Sequence, residues 1–291
     1  MKTLLALAAA CFLGIGFVAQ QHVAYREPLD EMLRFKLLAH LIRQPVWLLG
    51  IAAMICGQVL GAVALDESDL GRVEPLLATN LIFALVIAHA VYKEPLSREV
   101  WWGGLLVTGG AVIFLAFGQP HGGRTTAPDS PRWLAAGAVV VVAAGFVLVA
   151  LPRSLRTKAM LFAAAAGMLF GVQDALTRSS LLELGQGLPV ALRSWQPYAL
   201  IIVALLSLLL AQSAFDAAPI GISLPAMTAV EPIIGIVLGM LVFAENLRFT
   251  GAAITAEVIG LLMIVTGIGV LGRSSFLGKP GSVVRQDGGS G

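Results

Sequence analysis

The sequence predicts an all-α polytopic membrane protein with about nine transmembrane helices in two inverted repeats. Of its 291 residues, 58% are hydrophobic and 12% are charged, about half of the ~25% charged residues usual in soluble domains. Mean hydropathy is +0.88, and apolar runs of the ~20 residues that cross a bilayer recur along the chain. The two halves also resemble each other. A soluble domain could not cover so apolar a core with so few charges.

The same composition excludes several classes of function. Net charge is +2 and no long basic run occurs, so we expect no nucleic-acid partner. Cys11 and Cys56 form neither a disulfide framework nor a zinc motif. No phosphate-binding glycine loop and no nucleophile–base pattern is present, so we expect neither an ATPase nor any other enzyme. No cofactor is predicted, apart from Mg²⁺ as a transported ion under one alternative below.

The spans are predicted from the N-terminus onward. The first, at 3–20, is interpreted as a retained helix because it lacks a small-x-small cleavage site. Residues 30–42 are apolar at helical spacing but contain Arg34 and Lys36, which favours a helix lying in the membrane interface. The remaining apolar runs lie at 46–65, 73–92, 101–117, 133–151, 160–176, 197–215, 223–243 and 253–271.

These spans fall into two repeats. Residues 1–118 form the first repeat, with four spans and the interfacial helix at 30–42. A loop at 119–132 and a linking span at 133–151 lead to the second repeat, 152–272, and to a disordered tail at 273–291. Of the 19 Lys and Arg residues, twelve fall on one predicted side and seven on the other. The positive-inside rule then places the N-terminus outside and the C-terminus in the cytoplasm, in the cell membrane.

The internal repeat has specific markers. Residues 64–71 match 214–221, Pro75 matches Pro225, and an alanine run before Gly16 matches one before Gly171. Further along, Glu94 matches Glu245, while Gly103 and Gly110 match Gly260 and Gly267. The linking span would invert the second half. Inverted repeats are typical of secondary transporters, whose substrate site lies near the midplane between the halves.

These patterns resemble the drug/metabolite transporter superfamily, in its EamA-like members and its NIPA-type magnesium transporter branch. The residues that carry the resemblance are Trp47, Gly50, Gly57, Ala64-Leu65, Val73 to Leu76, Glu94-x-Leu96, Pro225, Glu231-Pro232 and Glu245-x-Leu247. The resemblance implies a helical transporter that works by alternating access. Eukaryotic NIPA-type members are associated with magnesium transport, whereas other members move organic solutes.

Polar groups inside spans are the candidate binding residues, because an ionisable group in a membrane is costly. Glu231 ranks first, since it lies mid-span beside Pro232 with Thr228, Gly235 and Gly239 on its face. The other candidates are Asp174, Gln173, Gln20, Gln58, Asn80, Thr228 and Glu257, and a metal ion would use Glu231 and Asp174. Alternatives remain open: Asp174 could pair with Arg178, Glu257 could be interfacial, and the amides could join helices. Glu94 and Glu245 are interpreted as structural repeat markers.

Three functions are compatible with these residues. The leading hypothesis is a transporter that moves a small solute by alternating access between the halves. The alternatives are a magnesium permease and a membrane scaffold or accessory subunit that transports nothing. Convergence of Glu231 and the amides on a midplane cavity would favour transport. The predicted partners are the lipid bilayer and a small-molecule or ion substrate, and the sequence leaves a homodimer open.

Overall fold

The computed structural model describes residues 2–66, 70–118, 130–245 and 251–273, and all regular structure in these ranges is helical. The first half contains α1 Lys2–Ala24, α2 Phe35–Leu41, α3 Pro45–Asp66, α4 Leu70–Leu77, α5 Asn80–Ala90 and α6 Arg98–Gly118. The rest contains α7 Leu134–Ala150, α8 Leu155–Gly185, α9 Leu188–Arg193, α10 Gln196–Ala217, α11 Ile220–Phe243 and α12 Gly251–Arg273.

Eight of these helices are long and apolar enough to cross a membrane. They are α1, α3, α6, α7, α8, α10, α11 and α12, so the predicted all-α polytopic architecture is confirmed. The orientation of the termini stays a prediction. The predicted loop at 119–132 and tail at 273–291 lie mostly outside the described residues.

The span predicted at 73–92 differs from a single helix, because the structure has the two short helices α4 and α5 there. Pro75 lies inside α4 and has no N–H to donate. The Thr79 hydroxyl donates to the carbonyl oxygen of Leu76 at 2.6 Å and helps to end the helix. Helix α1 covers this break, since a Cβ on Gly14 of α1 would lie 3.0 Å from the Asn80 carbonyl oxygen. Irregular backbone at membrane depth needs such cover.

Short helical segments connect α1 to α3. A 3₁₀ turn, Leu29–Glu31, precedes α2. Leu37 and Leu41 of α2 are buried while Phe35 is exposed, as suits a helix lying on the end of the bundle. The backbone N–H of Leu33 donates to the Ser213 hydroxyl at 3.0 Å. This hydrogen bond fixes the connection against α10, in the second half.

Matched glycines form the contact between α6 and α12. A Cβ on Gly110 would lie 2.5 Å from the Gly260 carbonyl oxygen, and one on Gly103 would lie 3.1 Å from that of Gly267. The reciprocal approaches, from Gly260 and Gly267, are 2.8 and 2.9 Å. Small residues allow backbones to come this close. The pairing runs antiparallel and exchanges matched positions, which is the pattern of a self-complementary two-fold contact.

Small residues also set the close approach of α8 and α11. A Cβ on Gly167 would lie 2.5 Å from the Met227 carbonyl oxygen, and one on Gly171 would lie 3.1 Å from that of Glu231. Because these helices nearly touch, Glu231 lies at the α8–α11 crossing.

Candidate functional site

A cavity of about 280 Å³ lies between α1 and α3 on one side and α8 and α10 on the other. Both halves of the chain therefore contribute to it. Its walls are mostly apolar, and none of the lining residues is ionisable. They are Phe17, Gln20, Ile51, Met54, Ile55, Gln58, Val59, Phe170, Leu208, Ala211, Gln212 and Phe215.

A chain of hydrogen bonds crosses between the halves at this cavity. The Trp47 indole Nε1 donates to Gln212 Oε1 at 3.1 Å, and Gln212 Nε2 donates to Gln20 Oε1 at 2.6 Å. The side-chain nitrogen of Gln20, Nε2, donates to the Met54 sulfur. Trp47, Gln20 and Gln212 are all buried, where polar groups need partners. The chain therefore holds the two amides in fixed orientations along the cavity wall.

The cavity opens on the side of the bundle that would face lipid. Ile55 and Val59 of α3 line it, yet they are 59% and 57% exposed. Gln58, between them in sequence, also lines the cavity and is exposed. An apolar opening flanked by an amide can admit a solute that is part polar and part apolar.

The predicted amide residues take different places. Gln20 and Gln58 line the cavity. Gln173 of α8 accepts a hydrogen bond from the Ser207 hydroxyl of α10 at 3.0 Å, so it joins two helices. Asn80 begins α5 at the helix break, with its side-chain oxygen buried and without a hydrogen-bond partner among the described residues. Thr228 donates to the carbonyl oxygen of Leu224 at 3.1 Å, within its own helix.

The predicted carboxylates lie outside the lining of this cavity. Glu231 is half-buried, and Asp174, which is exposed, lies near enough for their charges to interact. Glu257 of α12 approaches the end of α6, where its Oε1 would lie 3.7 Å from a Cβ placed on Gly118. Binding of a substrate or metal ion by these residues stays a prediction.

The two repeat-marker glutamates occupy opposite ends of the bundle. Glu245, after α11, forms an ion pair with Arg178 of α8. The Arg178 guanidinium also lies over the Phe243 ring, 4.3 Å from its centre. A charged partner thus neutralises Glu245 where its surroundings are largely protein.

Glu94, between α5 and α6, has a different environment. Its carboxylate faces the backbone N–H of Ile220 and the side-chain amide of Gln21. Burial raises the pKa of Glu94 to about 7, although the facing N–H groups of Ile220 and Gln21 oppose this rise. Among the described residues, no Lys or Arg forms an ion pair with it.

Two further groups complete what we term the Glu94 cluster: Gln21, Tyr25, Glu94, Asp216 and the Ile220 N–H. Asp216, in the last turn of α10, is fully buried. Burial raises the pKa of the Tyr25 phenol, and the nearby charges of Glu94 and Asp216 raise it further. Sequence reasoning did not identify this cluster, although Asp216 lies in the repeated segment 214–221.

A separate acidic group lies in the connection between α1 and α3. Ligand atoms of Glu27, Glu31 and His40 lie within 4.8 Å of one another. His40 Nδ1 is 2.8 Å from a Glu31 carboxylate oxygen, and Lys36 Nζ is 2.9 Å from the other. Lys36 supplies positive charge to Glu31, and His40 contacts both carboxylates, so Glu31 is already paired within this connection.

Comparisons with known proteins place the chain among membrane proteins. No family model matches the chain, and no solved structure does. The chain is 32% identical, over 95% of its length, to an uncharacterised protein of Corynebacterium glutamicum, of which it covers 96%. Over 108 residues, 36% of its length, it is 30% identical to the probable 4-amino-4-deoxy-L-arabinose-phosphoundecaprenol flippase subunit ArnE of Pseudomonas savastanoi pv. phaseolicola, of which it covers 90%. The ArnE protein of Pseudomonas fluorescens strain Pf-5 is 32% identical over 68 residues, 60% of that protein.

The eight apolar helices of this chain agree with the membrane role in the names of the ArnE relatives. The chain therefore belongs to the family of the Corynebacterium glutamicum protein and is a multi-pass membrane protein like the drug/metabolite transporters, related over about a third of its length to ArnE flippase subunits.

Proposed function

We propose that the protein is a flippase-like membrane transporter that moves an amphipathic solute, of the lipid-linked sugar class, through the cavity between its halves. The observation that carries this proposal is a cavity shared by both halves, lined by three amides and open on its lipid-facing side. Amides both donate to and accept from sugar hydroxyls. The apolar opening leaves room for a lipid chain to remain in the bilayer.

The relatives support the same class of function. Two of them are named as flippase subunits for a lipid-linked amino sugar. One of these corresponds, over 90% of its length, to about a third of this chain. In our proposal each half does the work of one subunit, and the antiparallel α6–α12 contact is the axis about which the halves rock.

Magnesium transport is less well supported. Magnesium binds hard oxygen ligands, carboxylates above all. The cavity lining contains no carboxylate. Glu231 and Asp174 lie together elsewhere, and neither named relative is a magnesium transporter. An accessory role is the second candidate, because the ArnE relatives are named as subunits.

Transbilayer movement in proteoliposomes tests the proposal. The probe is a fluorescent short-chain polyprenyl-phosphate sugar, and its movement is read by quenching of the outer leaflet. Leu208→Trp fills the cavity, so we expect movement to fall at least about tenfold. Ile201→Trp is the matched control, since Ile201 lies on the same helix and is 60% exposed. Size-exclusion profiles show that both variants fold.

The outcomes separate the candidate functions. Wild-type movement no faster than in protein-free liposomes, or equal movement in both variants, would overturn the flippase proposal. In parallel vesicles with a magnesium dye, a saturable flux lost in Glu231→Gln would support the permease instead. Movement that appears only after a second membrane protein is added would support the accessory role.

A further inference from the structure

We propose that Glu94 is a proton-binding site at the boundary between the two halves, and that its proton controls whether this end of the bundle is closed. With the proton bound, the end stays closed, and loss of the proton favours opening. The site deepens the transport function proposed above, but its test needs no substrate.

The geometry places Glu94 across the boundary. It follows α5 in the first half, and its carboxylate faces the N–H of Ile220, the first residue of α11 in the second half. The adjacent contact is tight, because a Cβ on Gly221 would lie 2.5 Å from Val100 Cγ1 of α6. Separation of the halves at this end must therefore expose Glu94 to water.

Three buried polar atoms in the cluster lack a partner. Neither Glu94 Oε2 nor the side-chain oxygen or nitrogen of Gln21 has a hydrogen-bond partner among the described residues, and Gln21 is fully buried. Buried polar atoms are normally paired, and an unpaired one costs about 1–3 kcal/mol. A protonated Glu94 can donate to Gln21 Oε1, and an ionised Glu94 can accept from Gln21 Nε2. The Gln21 amide can therefore serve both states, and the burial of Glu94 at this boundary is what favours the proton.

The titratable groups around Glu94 come from several elements. Tyr25 follows α1, and Asp216 comes from α10. His89 of α5 places Nδ1 3.0 Å from the main-chain oxygen of Glu94, and His22 stacks on Tyr92 at 4.0 Å. The charges of Glu94 and Asp216 both act on the Tyr25 phenol and raise its pKa.

The direction of the pH effect follows from burial. In the closed end the pKa of Glu94 is raised from 4.5 to about 7, and exposure to water on opening returns it toward its ordinary value. The closed state therefore holds more protons between these two values. Its added stability is complete below about pH 4.5 and is lost as the pH rises to about 7. Each opening would release a proton, which couples the movement of the halves to a pH gradient.

Hydrogen exchange measured by mass spectrometry tests this site on the full-length protein in lipid nanodiscs. The readout is protection of the amides at 91–97 and 219–222, corrected for the intrinsic rate, between pH 5 and 8.5. In the wild type we expect protection to fall at least about tenfold over this range. Glu94→Gln cannot ionise, so its protection should not change with pH.

Three matched variants identify the group responsible. His89→Gln and His22→Gln should keep the wild-type response if Glu94 causes it. Glu245→Gln, the matched glutamate at the other end, should also keep it. A wild type without pH dependence, a Glu94→Gln variant that retains it, or loss of the response in either histidine variant would overturn the proposal. The sugar-movement assay would be unaffected by such a result, so the two proposals can fail separately.

Discussion

The two ends of the bundle use the same repeated glutamate in different ways. At one end Glu245 is ion-paired with Arg178 of α8. At the other, Glu94 faces a backbone N–H and an amide. The residue of α1 that faces Glu94, as Arg178 of α8 faces Glu245, is Gln21, an uncharged amide. One missing arginine thus distinguishes an end held by a permanent charge pair from an end whose charge depends on pH.

The largest effect should follow from removing the arginine. Arg178→Ala leaves the Glu245 carboxylate, 10% exposed, without its cation, and also removes the contact with Phe243. We expect a loss of about 3 kcal/mol, at the low end for buried pairs because Arg178 is partly exposed. Thermal unfolding in detergent measures it. The double variant Arg178→Ala with Glu245→Gln should recover part of the loss, and no recovery would show that the ion pair is not the cause.

The next effect should follow from disrupting the glycine contact between α6 and α12. Gly110→Val places a side chain against the Gly260 backbone, 2.5 Å from its Cβ position, and we expect a loss of about 2 kcal/mol from overpacking. Gly269→Val is the control on α12, because a Cβ there meets nothing within 4 Å. Equal melting temperatures for the two variants would contradict the close α6–α12 approach.

The last effect, at the Glu94 end, should depend on pH. Glu94→Gln removes the cost of burying a charge, so it should stabilise the protein by about 2 kcal/mol more at pH 8 than at pH 5, because the pKa of Glu94 is raised from 4.5 to about 7. The melting temperatures of variant and wild type at the two pH values measure this. A stabilisation that is larger at pH 5 than at pH 8 would contradict the idea that burial disfavours the charged form of Glu94.

The span positions were predictable because hydropathy is a local property. The interfacial position of residues 30–42, inferred from Arg34 and Lys36, stays a prediction. The break at Thr79 depends on one hydroxyl bond and on cover from α1, which the hydropathy pattern does not contain.

The site was less predictable because its contacts join distant residues. Gln20 and Gln212 are 192 positions apart, and nothing in either span marks them as partners. Glu231 ranked first on the cost of a charge in a membrane, yet it lies at the α8–α11 crossing rather than in the cavity lining. Glu94 had the form of a repeat marker, and only the neighbouring Gln21 and Asp216 give it a chemical role.

The glycine contact between α6 and α12 has a consequence for how the two ends can differ. A self-complementary surface allows a single half to bind a second copy of itself. In such a homodimer every position is present twice and identically, so an arginine at one end would also stand at the other. Within one chain the two copies of a position are free to differ. Divergence of the two halves within this chain is thus what places Arg178 beside one glutamate and the uncharged Gln21 beside the other.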